Sequence, residues 1–223
     1  MSELQFREDG AQRFRCALSV SEVEDVLSVL DGLPPEKAGL RLKGLPGLSD
    51  ILAISSPTGR IAASLIGPNA RPVRALRFDK TPETNWSLPW HQDRTVVVRA
   101  RHDTPGYGPW STKAGLIHVA PPFHVLEGMA TLRLHLDPVG EENAPLWIAP
   151  GSHRLGRVPE GDVATRVEQH GPFACIADVG DVWAYATPII HASEAAILPR
   201  RRRVLQIDYA AHPLDGELEW LGV

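Results

Sequence analysis

Met129-Ala130-Thr131-Leu132-Arg133-Leu134-His135-Leu136 alternates residue by residue. In an extended chain, successive side chains point to opposite faces. Ala130, Leu132, Leu134 and Leu136 therefore share one face, and Thr131, Arg133 and His135 share the other. A helix would scatter these leucines around its axis, so the stretch reads as a β-strand. A strand with one aliphatic face usually turns its polar face to solvent. The opposite arrangement is expected here. The leucines pack outward against helices, and Thr131, Arg133 and His135 point into a barrel, where Arg133 would meet an anion.

Short strands continue on both sides. Arg71–Phe78, Thr95–Ala100, Leu146–Ala149, Phe173–Asp178, Val182–Ala186 and Val204–Ala210 carry β-branched or alternating patterns, separated by proline and glycine. Such spacing indicates an all-β sandwich or barrel. The stretch before them, 19–66, reads as helical. Ser19 or Ser21 caps a first helix, and Val20, Val23, Val26, Leu27 and Leu30 form its apolar stripe. Gly32-Leu33-Pro34-Pro35 ends it, because proline cannot continue a helix. A second helical region covers 48–66, broken near Ser56-Pro57. Residues 101–127, with Pro105-Gly106-Tyr107-Gly108-Pro109-Trp110 and Pro121-Pro122, read as a long irregular loop, a type that often carries function.

The chain has 223 residues, which suits a single domain over 1–223, helical over residues 1–70 and with a β core over 71–212. Hydrophobic residues make up 43% and charged residues 22%, which excludes disordered, collagenous and coiled-coil classes. The net charge of −4, from 23 basic and 27 acidic residues, exerts no global pull toward nucleic acid or an anionic membrane, and neither is an expected partner. Cys16 and Cys175 form no CxxC pair, which suits a reducing compartment. The charged segment Met1–Asp9 has no signal-peptide core, and no apolar run approaches a membrane span. A cytoplasmic location is expected.

Nine histidines invite a search for a metal site. Iron(II) sites that activate dioxygen use two histidines and one carboxylate on one face. In sequence this is His-x-Asp with a distant histidine. His91-Gln92-Asp93 fits, but so does His135-Leu136-Asp137, and the pattern alone is weak. A barrel site puts His-x-Asp after an early strand and the second histidine several strands later. That order favours His91 and Asp93 with His191, and leaves His135 as a possible wall of the same cavity. A single histidine on a strand is usually structural. His191, however, follows the turn and strand beginning at Gly180-Asp181-Val182, and Arg202 lies eleven residues beyond it at the start of another strand. Arginine binds a carboxylate in two-point fashion, and Ser193 offers a hydroxyl. The rest of the run Arg200-Arg201-Arg202-Arg203 reads as a solvated turn. Arg77, on the first strand, is a further candidate anion ligand. Trp86, Trp90 and Trp110 fit a pocket mouth or the core equally well.

Taken in order, Ser87-Leu88-Pro89-Trp90-His91-Gln92-Asp93, Asn143-Ala144-Pro145-Leu146-Trp147-Ile148-Ala149-Pro150-Gly151-Ser152-His153, and His191-Ala192-Ser193 with Arg202-Arg203-Val204-Leu205 resemble the phytanoyl-CoA dioxygenase family. This is a branch of the non-haem Fe(II)/2-oxoglutarate dioxygenases. The resemblance covers about residues 71–212. It implies a mainly β fold, a double-stranded β-helix or jelly roll with flanking N-terminal helices. It implies Fe(II) on His91, Asp93 and His191, and 2-oxoglutarate as cosubstrate with its far carboxylate on Arg202 and Ser193. Arg133, Thr131 and Arg77 are added here as candidate ligands of the cosubstrate or of an acidic small substrate. The implied reaction uses O2 to hydroxylate a small molecule, with succinate and CO2 as co-products. Asp93 favours hydroxylation over halogenation, since halogenating relatives lack that carboxylate. Pro150-Gly151-Ser152-His153 reads as a structural turn. Two positions depart from the family pattern: Ala144 where glycine is frequent, and Arg133 where some members carry tryptophan.

Two rival readings remain. One is a cupin-like metalloenzyme that does not use 2-oxoglutarate. Cupins typically cluster their histidines, and no His-x-His occurs here. The other is a non-catalytic binding barrel.

Overall fold

The computed structural model describes residues 3–34 and 39–223. In chain order these form α1 (Phe6–Asp9), β1 (Ala11–Phe14), α2 (Val20–Leu30), β2 (Gly39–Leu42), α3 (Leu48–Ile51), α4 (Pro57–Ile66), β3 (Arg71–Lys80), β4 (Leu88–His91), β5 (Val96–Val98), β6 (Trp110–Lys113), β7 (Leu116–Val119), α5 (Phe123–Glu127), β8 (Met129–His135), β9 (Leu146–Ile148), α6 (Val163–His170), β10 (Phe173–Cys175), β11 (Val182–Ala186), β12 (His191–Ser193) and β13 (Arg202–Ala210). The strands build a large sheet in the order β1-β11-β8-β13-β3-β2, a smaller one β10-β9-β12-β4, and a third, β5-β7-β6. All pairings are antiparallel. The fold is mainly β, a jelly roll flanked by helices.

The alternation in β8 explains how the layers stack. Leu132 and Leu134 lie in one apolar cluster with Val23, Val26 and Leu30 of α2, Leu48 of α3 and Ala62 of α4. The aliphatic face of the large sheet is thus covered by helices. On the opposite side Trp183 and Tyr185 of β11 pack with Leu146 and Ile148 of β9, which joins the two larger sheets. Helix α2 starts where Ser19 and Glu22 cap each other reciprocally, satisfying amides that the first turn leaves free. Val20 is left out of its buried stripe and stands 77% exposed. Pro35, expected to help end this helix, lies outside the described residues, as do Met1 and Ser2.

Two expectations need correction. The N-terminal region is not only helical, because β1 and β2 extend the two edges of the large sheet. Each is four residues long, too short to show alternation, and each forms by pairing with a longer strand. Residues 101–127 are also not an irregular loop, since they contain the β6–β7 hairpin and α5. Strand β1 is locked by Asp181, which accepts from the backbone N–H of Cys16 and forms an ion pair with Arg13. The preceding Gly180 has φ +82°, and a Cβ there would sit 2.6 Å from the Leu18 carbonyl oxygen. Glycine is required at that turn. Among the described residues no helix is long and apolar enough to cross a membrane.

Candidate active site

Strands β4 and β12 pair so that His91 stands directly opposite His191, with ring centroids 4.3 Å apart. Asp93 follows two residues after His91, and ligand atoms of all three residues lie within 4.8 Å of one another. Each imidazole is oriented by the chain two residues before it. His91 Nδ1 is 2.7 Å from the Pro89 carbonyl oxygen, and His191 Nδ1 is 2.9 Å from that of Ile189. With Nδ1–H donating to these carbonyls, each Nε2 keeps its lone pair for a metal. Burial, with His91 beside it, brings His191 down to about 4, so the ring is neutral at pH 7 as a ligand must be. Burial works against the charge on Asp93, but Arg74, His191 and His91 outweigh it and hold the carboxyl below its ordinary value. Arg74 is itself anchored at 2.5 Å to the buried Asp208.

The residue between the ligands, Gln92, is a positioning residue with no signal of its own in the sequence. Its amide nitrogen donates to the Gly156 and Pro188 carbonyls, and its oxygen accepts from the Val158 N–H. It thereby ties the segment carrying His91 and Asp93 to the chain leading into His191. Ser152 adds to this, accepting from the Ile190 N–H at 2.9 Å. Pro150-Gly151-Ser152-His153 therefore braces a ligand strand from a turn. The competing motif is separated from the site: Asp137 is engaged by Arg203, and His135 is buried and does not line the cavity.

The triad opens into a cavity of about 510 Å³. Arg202 lines it and is 1% exposed. Of the run of four arginines, it is the one turned inward. Its Nη1 donates to the Ala144 carbonyl at 2.6 Å, its Nε has no partner among the described residues, and it has no carboxylate partner there. Burial and then Arg133 press its pKa downward, the signature of a cation lacking a counter-charge. Ser193 also lines the cavity and receives a hydrogen bond from Lys80 Nζ at 3.2 Å. Lys80 is buried, and burial, Arg202 and Arg133 together bring it down to about 7. Lys80 is absent from the sequence-based candidates. Its only signal there is its parity with Phe78 on β3, which becomes informative once the inner face of that strand is known. Arg133 lines the same wall, donating to Gln206 at 2.7 Å with its guanidinium over Phe78.

Two candidates point elsewhere. Arg74, Leu76 and Phe78 of β3 face the cavity, whereas Arg77 faces the other way and donates to the carbonyls of Leu33 and Pro34. Thr131 is on the inner face but is fully buried, bonded to Thr187 and Asp208, and does not line the cavity. Of the tryptophans, Trp86 lines the cavity beneath Lys80, while Trp90 and Trp110 pack against apolar clusters.

Solved structures of similar architecture bear on this geometry. EctD from S. alaskensis, solved with bound Fe, aligns with a TM-score of 0.68 at 18% identity over 98% of this chain and 78% of that one. SnoK, a non-heme alpha ketoglutarate dependent carbocyclase from nogalamycin biosynthesis, aligns at 0.66 with 20% identity over 98% and 85%. HygX from Streptomyces hygroscopicus, solved with nickel and 2-oxoglutarate, aligns at 0.63 with 15% identity over 95% and 89%. At these identities the likeness is one of fold. No curated protein matches the sequence. The model of the phytanoyl-CoA dioxygenase (PhyH) family matches residues 60–204, which is more than half of the chain and includes all three candidate metal ligands and Arg202. The chain belongs to the phytanoyl-CoA dioxygenase family.

Proposed function

We propose that this protein is an Fe(II)- and 2-oxoglutarate-dependent oxygenase that hydroxylates a small molecule in the cytoplasm. One observation carries the reading. Two imidazoles and a carboxylate, with ligand atoms within 4.8 Å of one another, share a cavity with a buried arginine that has no carboxylate partner among the described residues. The donor set is the one that suits iron(II) with positions left open for other ligands. His91, Asp93 and His191 would hold the ion. Bound there, iron supplies the dioxygen chemistry in which R–H, O2 and 2-oxoglutarate become R–OH, succinate and CO2.

The chain's own residues do the rest. Arg202 and the Ser193 hydroxyl are suited to hold the far carboxylate of 2-oxoglutarate, with Lys80 behind them bonded to Ser193 and to the Trp86 and Glu194 carbonyls, because anions bind strongly where charged donors are already removed from water. Arg133, fixed by Gln206 and Phe78, adds positive potential to the same end. Arg74 keeps Asp93 ionised and therefore able to ligate. Phe78, Trp86, Leu88 and Leu146 give the cavity apolar walls that limit water. Bound iron, nickel and 2-oxoglutarate in structures of EctD and HygX support the same use of this fold.

The reading is tested by incubating the protein with Fe(II), 2-oxoglutarate, O2 and a panel of small organic acids. One succinate formed per product carrying an added oxygen atom is the expected result. Product formation without 2-oxoglutarate would overturn the reading in favour of a cupin-like enzyme.

A further inference from the structure

Arg202 and its neighbours occupy one region of the cavity, and a second group of cations occupies another. Arg41, Arg74, Arg94, Lys113, Arg133 and Arg202 line the cavity, against the single carboxylate of Asp93 among the described lining residues. Arg74 is paired with Asp208, and Arg94 with Glu160. Charge coupling sorts the others. Arg133 and Arg202 act on Lys80, whereas Lys113 and Arg41 act on His118. Lys113 also acts on Asp93. Arg41 and Lys113 thus act together at His118, from strands β2, β6 and β7, while Arg133 and Arg202 stand on β8 and β13.

The sheet registers explain why these residues converge. Arg41 pairs with Leu76 across β2 and β3, so it faces the cavity with Leu76 from the edge of the large sheet. Lys113 pairs with Leu116 across β6 and β7, and His118 lies two residues beyond Leu116 on the same face. His118 is 1% exposed, and its Nε2 has no partner among the described residues. Thr95 Oγ1 lies 3.4 Å from Nδ1. With that hydroxyl donating to Nδ1, the ring hydrogen sits on Nε2, a donor with no acceptor among the described residues. Burial, then Arg74, Lys113 and Arg41, bring the ring down to about 4, so at pH 7 it is a neutral donor. Arg41 Nε is likewise buried without a partner among the described residues. A buried donor left unpaired is costly, and two of them beside the exposed Lys113 ammonium point to a missing anion.

We infer that Arg41, Lys113 and His118 form a substrate subsite that grips an anionic group, a carboxylate or a phosphate, and so presents the rest of a small acidic molecule to the metal-binding triad. The inference rests on the oxygenase reading for what happens to that molecule, but the anion site itself is separately testable. The three residues come from β2, β6 and β7, outside the β4–β12 strand pair that carries His91 and His191.

The test is calorimetric, on Ni(II)-loaded protein saturated with 2-oxoglutarate so that the cosubstrate end is filled. Inorganic phosphate and acetate are titrated separately into wild type, the Arg41→Gln/Lys113→Gln double variant and His118→Phe. Both basic residues are at least partly exposed, so the double variant is expected to fold. The expected result is one saturable anion site per chain, weakened about tenfold or more in the double variant. Separate titrations of 2-oxoglutarate into each Ni(II)-loaded protein, before any saturation, should find its affinity within about twofold of wild type. Tighter phosphate marks a phosphate ester as the substrate class, and tighter acetate marks a carboxylic acid. The absence of a saturable site in wild type, or equal affinity in the double variant, overturns the inference. Failure of 2-oxoglutarate to bind at all would instead count against the oxygenase reading, and the two failures are distinguishable in one set of samples.

Discussion

The two faces of β8 do opposite work. Outward, Leu132 and Leu134 are dry, tightly surrounded by helices and free of polar neighbours to satisfy. Inward, Arg133 is buried with its Nε unpartnered among the described residues, beside Arg202 and Lys80, whose charges are disfavoured by burial. The outer face stabilises the fold, and the inner face carries an electrostatic cost in the ligand-free protein that a bound anion would relieve. Stability and binding are therefore separated across the thickness of one sheet, and substitutions on the two faces should dissociate them.

The largest expected effect is on the outer face. Leu132→Ala removes a fully buried side chain and should cost about 2–5 kcal/mol in chemical denaturation. 2-Oxoglutarate affinity at temperatures where the variant is folded should stay within about twofold. A substantial loss of affinity would break the separation. Next comes Arg202→Met on the inner face. Losing the charged donor should weaken 2-oxoglutarate by about 100-fold, while the midpoint of unfolding stays level or rises, because an uncompensated buried charge has gone. A destabilised Arg202→Met would mean that the arginine serves the fold instead.

Lys80 sharpens the comparison through pH. Its pKa in the ligand-free fold, about 7, lies below the ordinary lysine value of 10.5. The unfolded chain thus holds a proton that the folded chain has released, and stability of the ligand-free protein should rise with pH between about 7 and 10.5. A bound carboxylate favours the charged amine, so 2-oxoglutarate affinity should fall as pH rises above about 7. Lys80→Met should flatten that decline in a calorimetric pH series; unchanged slopes would remove Lys80 from the cosubstrate site. The smallest effect concerns Ala144, which presents its carbonyl to Arg202 from a left-handed conformation, φ +52°. Glycine adopts this conformation without the side-chain clash, so Ala144→Gly should stabilise the protein by about 0.5–1 kcal/mol and leave ligand binding unchanged. A loss of stability would show that the Ala144 methyl group contributes packing that glycine cannot replace.

Much of the fold and site was legible in the sequence, for identifiable reasons. Strict alternation in β8 marks a strand with two unlike faces. The site order His91-x-Asp93, His191 and Arg202 survives in sequence because each residue follows a strand or turn with a recognisable signal. Strand β3 shows the limit. Both its faces are buried or bonded, Arg74 and Lys80 inward and Arg77 outward, so its charges carry no parity information until the sheet is assembled. That is why Arg77 was a candidate and Lys80 was not. Arg41 and His118 were invisible for a related reason: one lies on a four-residue strand and the other in a hairpin masked by prolines and glycines. Their meaning comes from pairing partners distant in the chain.

The most direct test is an anaerobic titration of 2-oxoglutarate into the Fe(II)-loaded protein, following the weak metal-to-ligand charge-transfer band in the visible, with His91→Ala and Arg202→Met alongside. The expected result is a band that saturates in wild type, is absent without His91, and needs about 100-fold more cosubstrate without Arg202. Iron bound with no band at any 2-oxoglutarate concentration would contradict the assignment of this cavity to a 2-oxoglutarate-dependent oxygenase.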